Sequence, residues 1–210
     1  MSLPELGWQI VYGRLAWTLV LAALLCSGGS ILLPAAWRPR AMIAAVLVVL
    51  AAANTLPGAA APAYWLGLAF QLPSALLTAL CALRLVTLWQ GRDGDALIPP
   101  AWAAPIVVLG AVLYLDAMGL LALGWYYAGF GPAGAPLVAA VLAALCVWAV
   151  MRGVYRAHAG ALLAALCLFA LPRLPTGNLW DTLLDPFLVL WALVSLVSAL
   201  RRRRHGAQPA

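Results

Sequence analysis

Seven apolar runs dominate the chain, over residues 15–33, 41–56, 63–89, 102–123, 135–151, 157–172 and 183–200. An α-helix needs about 20 mostly apolar residues to cross the hydrocarbon of a bilayer, or about 17 at the short end. The second and sixth runs are short by that measure. The third is long enough to tilt, and Pro73 is placed to kink it. Gly28 and Gly29 interrupt the first, and a helix starting nearer Trp8 draws Arg14 into the span. Hydrophobic residues make up 66% of the chain and charged residues 9%, against about 25% charged in soluble domains. Such a chain has too little polar surface to cover itself, so its solvent must be lipid. The expected fold is an all-α polytopic membrane protein, a bundle of about seven transmembrane helices. One membrane domain over residues 1–200 leads to a basic tail over 201–210. Met1 to Tyr12 lacks a basic n-region and carries Glu5, so no signal peptide is expected and the first run is kept as a helix.

The connections between the runs set an orientation. All twelve basic residues are arginine. Arg38, Arg40, Arg84, Arg92, Arg152, Arg156 and Arg201 to Arg204 fall on one side of a seven-helix thread. Only Arg14 and Arg173 fall on the other. Under the positive-inside rule this places the N-terminus outside and the C-terminus in the cytoplasm. An alphabet rich in Ala, Leu, Gly, Arg and Pro with no Lys suggests a GC-rich bacterial genome. The expected location is therefore the bacterial inner membrane.

Tryptophans mark the same boundaries. Trp37, Trp65, Trp89, Trp102, Trp125 and Trp180 fall at or near the ends of the runs, and Tyr64, Tyr126 and Tyr127 gather at outer ends. Indole and phenol rings prefer the headgroup level, where one edge is apolar and the other wet. Cys26, Cys81, Cys146 and Cys167 each lie inside an apolar run and read as small hydrophobes. A faint repeat links Leu33-Pro34-Ala35-Ala36-Trp37 with Ile98-Pro99-Pro100-Ala101-Trp102. Ala79-Leu80-Cys81 and Ala144-Leu145-Cys146 follow at the same offset, the pattern of a duplicated helical hairpin.

Two places hold residues able to do chemistry. Asp116 sits near the middle of the fourth run, where a carboxylate costs about 2.5–3.5 kcal/mol on the mildest scales. It is a candidate proton relay, ion site or substrate contact, or else an interhelical hydrogen bond that fixes packing. The second place is the outer segment Leu171 to Pro186. Asp181 and Asp185 share a helical face there, and Asn178 is placed to cap a helix. Together with Arg173, Trp180 and the Tyr126-Tyr127 loop they form a candidate polar and aromatic site. A lipid-linked sugar, a quinone head group or a partner protein would suit it.

Other signals are weaker. Asp93 and Asp95 lie in a short Gly turn that reads as a solvated turn, so no metal and no cofactor is expected. Arg201, Arg202, Arg203 and Arg204 form a juxtamembrane cluster that attracts anionic lipid head groups, by about 1 kcal/mol per charge. The arginines fit membrane orientation better than nucleic-acid binding. A retinal Schiff base needs a lysine. Membrane haem and intramembrane zinc hydrolysis need histidines inside the apolar runs, and the two histidines are His158 at a run's end and His205 in the tail. Three functions remain. One is a non-catalytic subunit or accessory component of a membrane complex, with lipids and a membrane-protein partner or a second copy as its contacts. Another is a small transporter using Asp116. The third is a membrane enzyme acting on a lipid-linked substrate at the outer face through Arg173, Asp181 and Asp185.

Overall fold

In a computed structural model of the chain, residues 3–32, 39–92 and 97–206 are described. Trp37, Arg38, the Leu33–Trp37 half of the repeat, Asp93 and Asp95 lie outside them, as do the side chains of Arg202, Arg203 and Arg204. All regular structure among the described residues is helical. The long segments are α1 (Leu6–Leu32), α2 (Pro39–Thr55), α4 (Ala75–Trp89), α5 (Pro100–Ala117), α7 (Gly134–Met151), α8 (Arg156–Ala170) and α10 (Pro186–Gly206). Shorter pieces lie between them: a 3-10 turn at Gly58–Ala60, then α3 (Pro62–Phe70), α6 (Trp125–Ala128) and α9 (Leu179–Leu183).

The centre of the bundle is α4. Ala75, Leu76, Leu77, Thr78, Leu80, Cys81, Leu85 and Leu88 are all buried, so this helix is enclosed on most of its circumference. It packs against α1 and α8, α2 lies against α1, α7 lies outside α8, and α5 pairs with α10. Small residues set the closest approach. A Cβ added at Gly110 of α5 would meet Val189 Cγ2 of α10 at 2.5 Å, so the glycine leaves the space that the valine side chain fills between the two helices.

The periphery is as apolar as the core. Helix α7 has a mean hydropathy of 2.2 with 11% of its length buried, and α5 has 1.6 with 22% buried. Leu137, Val141, Leu145 and Trp148 of α7 are exposed at spacings that line up on one helical face. Helices apolar all round and unburied need an apolar solvent. Three helices, α1, α5 and α7, are long and apolar enough to cross a membrane, and four shorter apolar helices accompany them. The molecule is a hydrophobic, all-helical, multi-span bundle consistent with a multi-pass membrane protein.

Hydrogen bonds pin the helix ends into two groups. At one end Arg40 Nε donates to Trp89 O (3.1 Å), Ser195 Oγ donates to Ile98 O (2.9 Å), and His158 Nε2 lies 3.2 Å from Leu97 O. These bonds gather the start of α2, the end of α4, the start of α8 and the approach to α5. At the other, Gln9 Nε2 donates to Pro175 O and Tyr12 Oη to Pro73 O, gathering the start of α1, the 171–185 segment and the start of α4.

The run over 63–89 is two helices, not one kinked helix. The residue before proline is driven out of the α region, and Gln71 carries the turn at φ 61°, ψ −138°. A break among apolar helices must have its backbone groups satisfied from elsewhere. Here Trp17 Nε1 donates to Gln71 O (3.2 Å), Tyr12 Oη donates to Pro73 O (2.7 Å), and Ser74 N donates to Asp185 Oδ2 (2.7 Å). Ser74 then caps α4, its Oγ accepting from Leu77 N at 3.0 Å. The run over 102–123 also stops early, at Ala117. Gly119 (φ 74°) donates to Asp116 O and Leu120 N to Leu115 O, the paired bonds of a glycine-closed helix C-terminus.

Candidate functional site

The early stop of α5 decides the surroundings of Asp116. The residue sits one position before the helix ends, and its side chain is buried. Oδ1 accepts from Leu123 N (2.8 Å) and Gly124 N (3.0 Å), and Oδ2 accepts from Tyr126 N (2.8 Å). The last of these lies in the first turn of α6. Asp116 therefore folds the 118–124 loop back onto α5 and caps the short helix after it, as side-chain oxygens do for free amide groups at helix starts.

The loop so placed meets the 171–185 segment. Tyr126 Oη donates to Asp181 Oδ1 at 3.1 Å, and Thr176 Oγ1 donates to Asp181 Oδ2 at 2.6 Å. Asn178 joins the two segments: its Nδ2 donates to Tyr126 O (3.2 Å), and its Oδ1 caps α9 by accepting from Trp180 N (2.9 Å). Trp180 Nε1 donates to Trp125 O at 2.7 Å, and Leu179 N donates to Gly129 O at 3.1 Å. A Cβ added at Gly129 would run into the Asn178 carboxamide and come within 2.5 Å of Trp180 Cδ1. Tyr127 stacks edge-on against Tyr126 but is itself exposed.

Burial of Asp181 pushes its carboxyl above the usual carboxylate range, opposed in part by the Thr176 and Tyr126 hydrogen bonds. The same burial, reinforced by the Asp181 charge, pushes the Tyr126 phenol up to about 12. Both groups thus favour their neutral forms more than they would in water.

The expected site is not one cluster. Tyr126, Trp180 and Asp181 come together, while Asp185 is bonded at the starts of α4 and α10. Its Oδ2 accepts from Ser74 N, and its Oδ1 accepts from Leu188 N at 2.8 Å, so one buried side chain caps the N-termini of two helices. Arg173 (φ 61°) donates from Nη2 to Gly177 O at 3.2 Å and lies over the Phe169 ring, 4.5 Å from its centroid. Arg201 is exposed at the far end of α10. No group of three His, Cys, Asp or Glu side chains converges among the described residues.

Several polar residues at this end carry no mark in the sequence beyond being polar in an apolar run. Asn54 is one of the least exposed side chains of the molecule. Its Nδ2 donates to Thr18 Oγ1 (2.8 Å), and its Oδ1 accepts from Ala63 N (2.8 Å) at the start of α3. Thr18 in turn donates to Arg14 O at 2.7 Å. Tyr12 lies 3.2 Å from Thr78 Oγ1. Each joins helices that the sequence shows only as separate apolar runs.

Fold and polar end together define a hydrophobic, multi-span helical protein whose interior carboxylates cap helices and loops. No family model, no curated protein and no solved structure matches the chain.

Proposed function

We propose that the protein is a seven-span bacterial inner-membrane protein serving as a non-catalytic subunit or accessory component of a membrane complex. Its N-terminus lies outside and its C-terminus in the cytoplasm. The observation that supports this reading is the use made of Asp116, Asp181 and Asp185. Asp116 holds three backbone amides, Asp185 holds two, and Asp181 holds two hydroxyls. A coupling carboxylate of a transporter must exchange protons or ions along a polar path, and a catalytic one must reach a substrate. Side chains held by backbone amides and hydroxyls of their own fold suit a structural role. The transporter reading through Asp116 and the lipid-linked-substrate enzyme reading through Arg173, Asp181 and Asp185 therefore have less support.

The exposed face of α7 suits a lateral contact with another membrane protein. The orientation is supported by Arg40, Arg92, Arg152, Arg156 and Arg201, all exposed in the end turns or flanks of their helices. The test is extraction of the tagged chain into nanodiscs from its own membrane, followed by native mass spectrometry. A fixed-stoichiometry complex with a second membrane protein is expected. A monomer that carries out transport or lipid turnover, and loses it in Asp116→Asn or Asp181→Asn, would contradict the reading.

A further inference from the structure

We propose that a groove between α1 and α3 binds the phosphate of an anionic membrane phospholipid, with Arg14 as its cation. The groove holds about 520 Å³ and is lined by Gln9, Gly13, Arg14, Trp17, Tyr64 and Gln71, among others. Helix α1 begins at Leu6, so Arg14 lies about 12 Å along it at 1.5 Å per residue, within the candidate span Leu6–Gly29. An arginine at that depth is costly and calls for a counter-charge. Among the described residues, no hydrogen bond or ion pair engages its guanidinium. Asp116, Asp181 and Asp185 are committed to caps and loops elsewhere, and Glu5 at the head of α1 makes no bond to it.

A second donor faces the same space. Gln71 holds a positive φ in the α3–α4 break and is exposed. Its carbonyl is taken by Trp17, while its side-chain amide has no partner among the described residues. A guanidinium fork and a carboxamide in one groove match the oxygens of a phosphate. The walls show where that phosphate comes from. Ile10 and Leu68 line the groove and are exposed on its flank, so acyl chains have an apolar track beside the charge. Trp8, Tyr64 and Trp65 are exposed around it, the ring of aromatics that marks the headgroup level. The occupant is therefore anchored in the bilayer, not free in solution. Room is reserved for it: a Cβ added at Gly67, which lines the groove, would meet nothing within 4 Å.

This inference rests on the membrane-embedded reading but not on the existence of a partner protein. The test uses the full chain in detergent, titrated with phosphatidylglycerol, with phosphatidylcholine of the same acyl chains, and with inorganic phosphate, and read by native mass spectrometry. A preference of about tenfold for phosphatidylglycerol is expected, the scale of one charge-assisted contact. Arg14→Gln should erase it. Gly67→Leu, which keeps the charge and fills the groove, should weaken retention of phosphatidylglycerol while leaving helicity by circular dichroism unchanged. Unaltered preference in both variants overturns the site, as does complete displacement of the lipid by inorganic phosphate. Release of the chain from membranes by alkaline carbonate would instead sink the membrane-embedded reading itself, a result distinct from loss of the lipid preference.

Discussion

Asp185→Ala is expected to be among the most damaging single substitutions at the polar end. The side chain is 6% exposed and satisfies Ser74 N and Leu188 N at once. Truncation leaves both amides buried without acceptors. Each orphaned buried donor costs about 1–3 kcal/mol, and loss of a helix cap alone costs about 1 kcal/mol. A total near 3 kcal/mol lowers the midpoint of a chain this size by about 6–12 °C. Asp185→Asn keeps one acceptor oxygen and turns an amide NH₂ toward the other N–H, so it should fall between wild type and Ala. The assay is thermal unfolding in detergent, followed by tryptophan fluorescence, with hydrogen exchange at Ser74 and Leu188 as the local readout. Stability of the alanine variant within 1 °C of wild type would refute the double-cap account, since two orphaned amides cannot cost so little.

Gly129→Ala should destabilise by about 1–3 kcal/mol through overpacking, because its methyl collides with Asn178 and Trp180; a changed near-ultraviolet signal from Trp180 checks this. Asp116→Ala should speed amide exchange at Leu123, Gly124 and Tyr126, whose acceptor it removes, and leave the Arg152–Arg156 turn untouched. Asp181 sets a pH dependence. Its folded pKa is raised, so the native protein holds this proton where the unfolded chain, with a carboxyl near about 3.9, has lost it. The stabilisation is present below about 3.9 and is lost as pH rises through the raised folded value. Acidification from neutral toward that window should therefore raise the unfolding midpoint of wild type relative to Asp181→Asn, and equal slopes in the two proteins would contradict it.

The seven long helices were legible because each lies within a long apolar run. Where helices stop was less legible. Gln71-Leu72-Pro73-Ser74 contains its own signal, a proline followed by a capping serine, yet the apolar stretch over 63–89 hides it. A break is only tolerable with partners for its backbone, and those partners are Trp17, Tyr12 and Asp185, distant in sequence. Asp116 shows the same limit. Its carboxylate reads as mid-span only while the helix runs to residue 123, and Gly119 ends it six residues after Leu113. At the candidate site, Asn178 carried a visible capping pattern, and the Tyr126–Asp181 meeting joins two loops that the sequence grouped on one side. Nothing local separates Asp185 from Asp181, because the amide that Asp185 holds belongs to Ser74, 111 residues earlier in the chain. The sequence left Arg14 either flanking the first span or drawn into it by an earlier helix start, and the start of α1 at Leu6 favours the second.

Sidedness labelling tests the membrane arrangement most directly. In a background with Cys26, Cys81, Cys146 and Cys167 replaced, single cysteines at Tyr127 and Val154, both exposed, would be probed in intact cells with a membrane-impermeant maleimide. Labelling at residue 127 from outside, with residue 154 reached only after permeabilisation, is the expected result. The reverse pattern, or equal access to both positions in intact cells, would contradict the seven-span arrangement with its arginine-rich end in the cytoplasm.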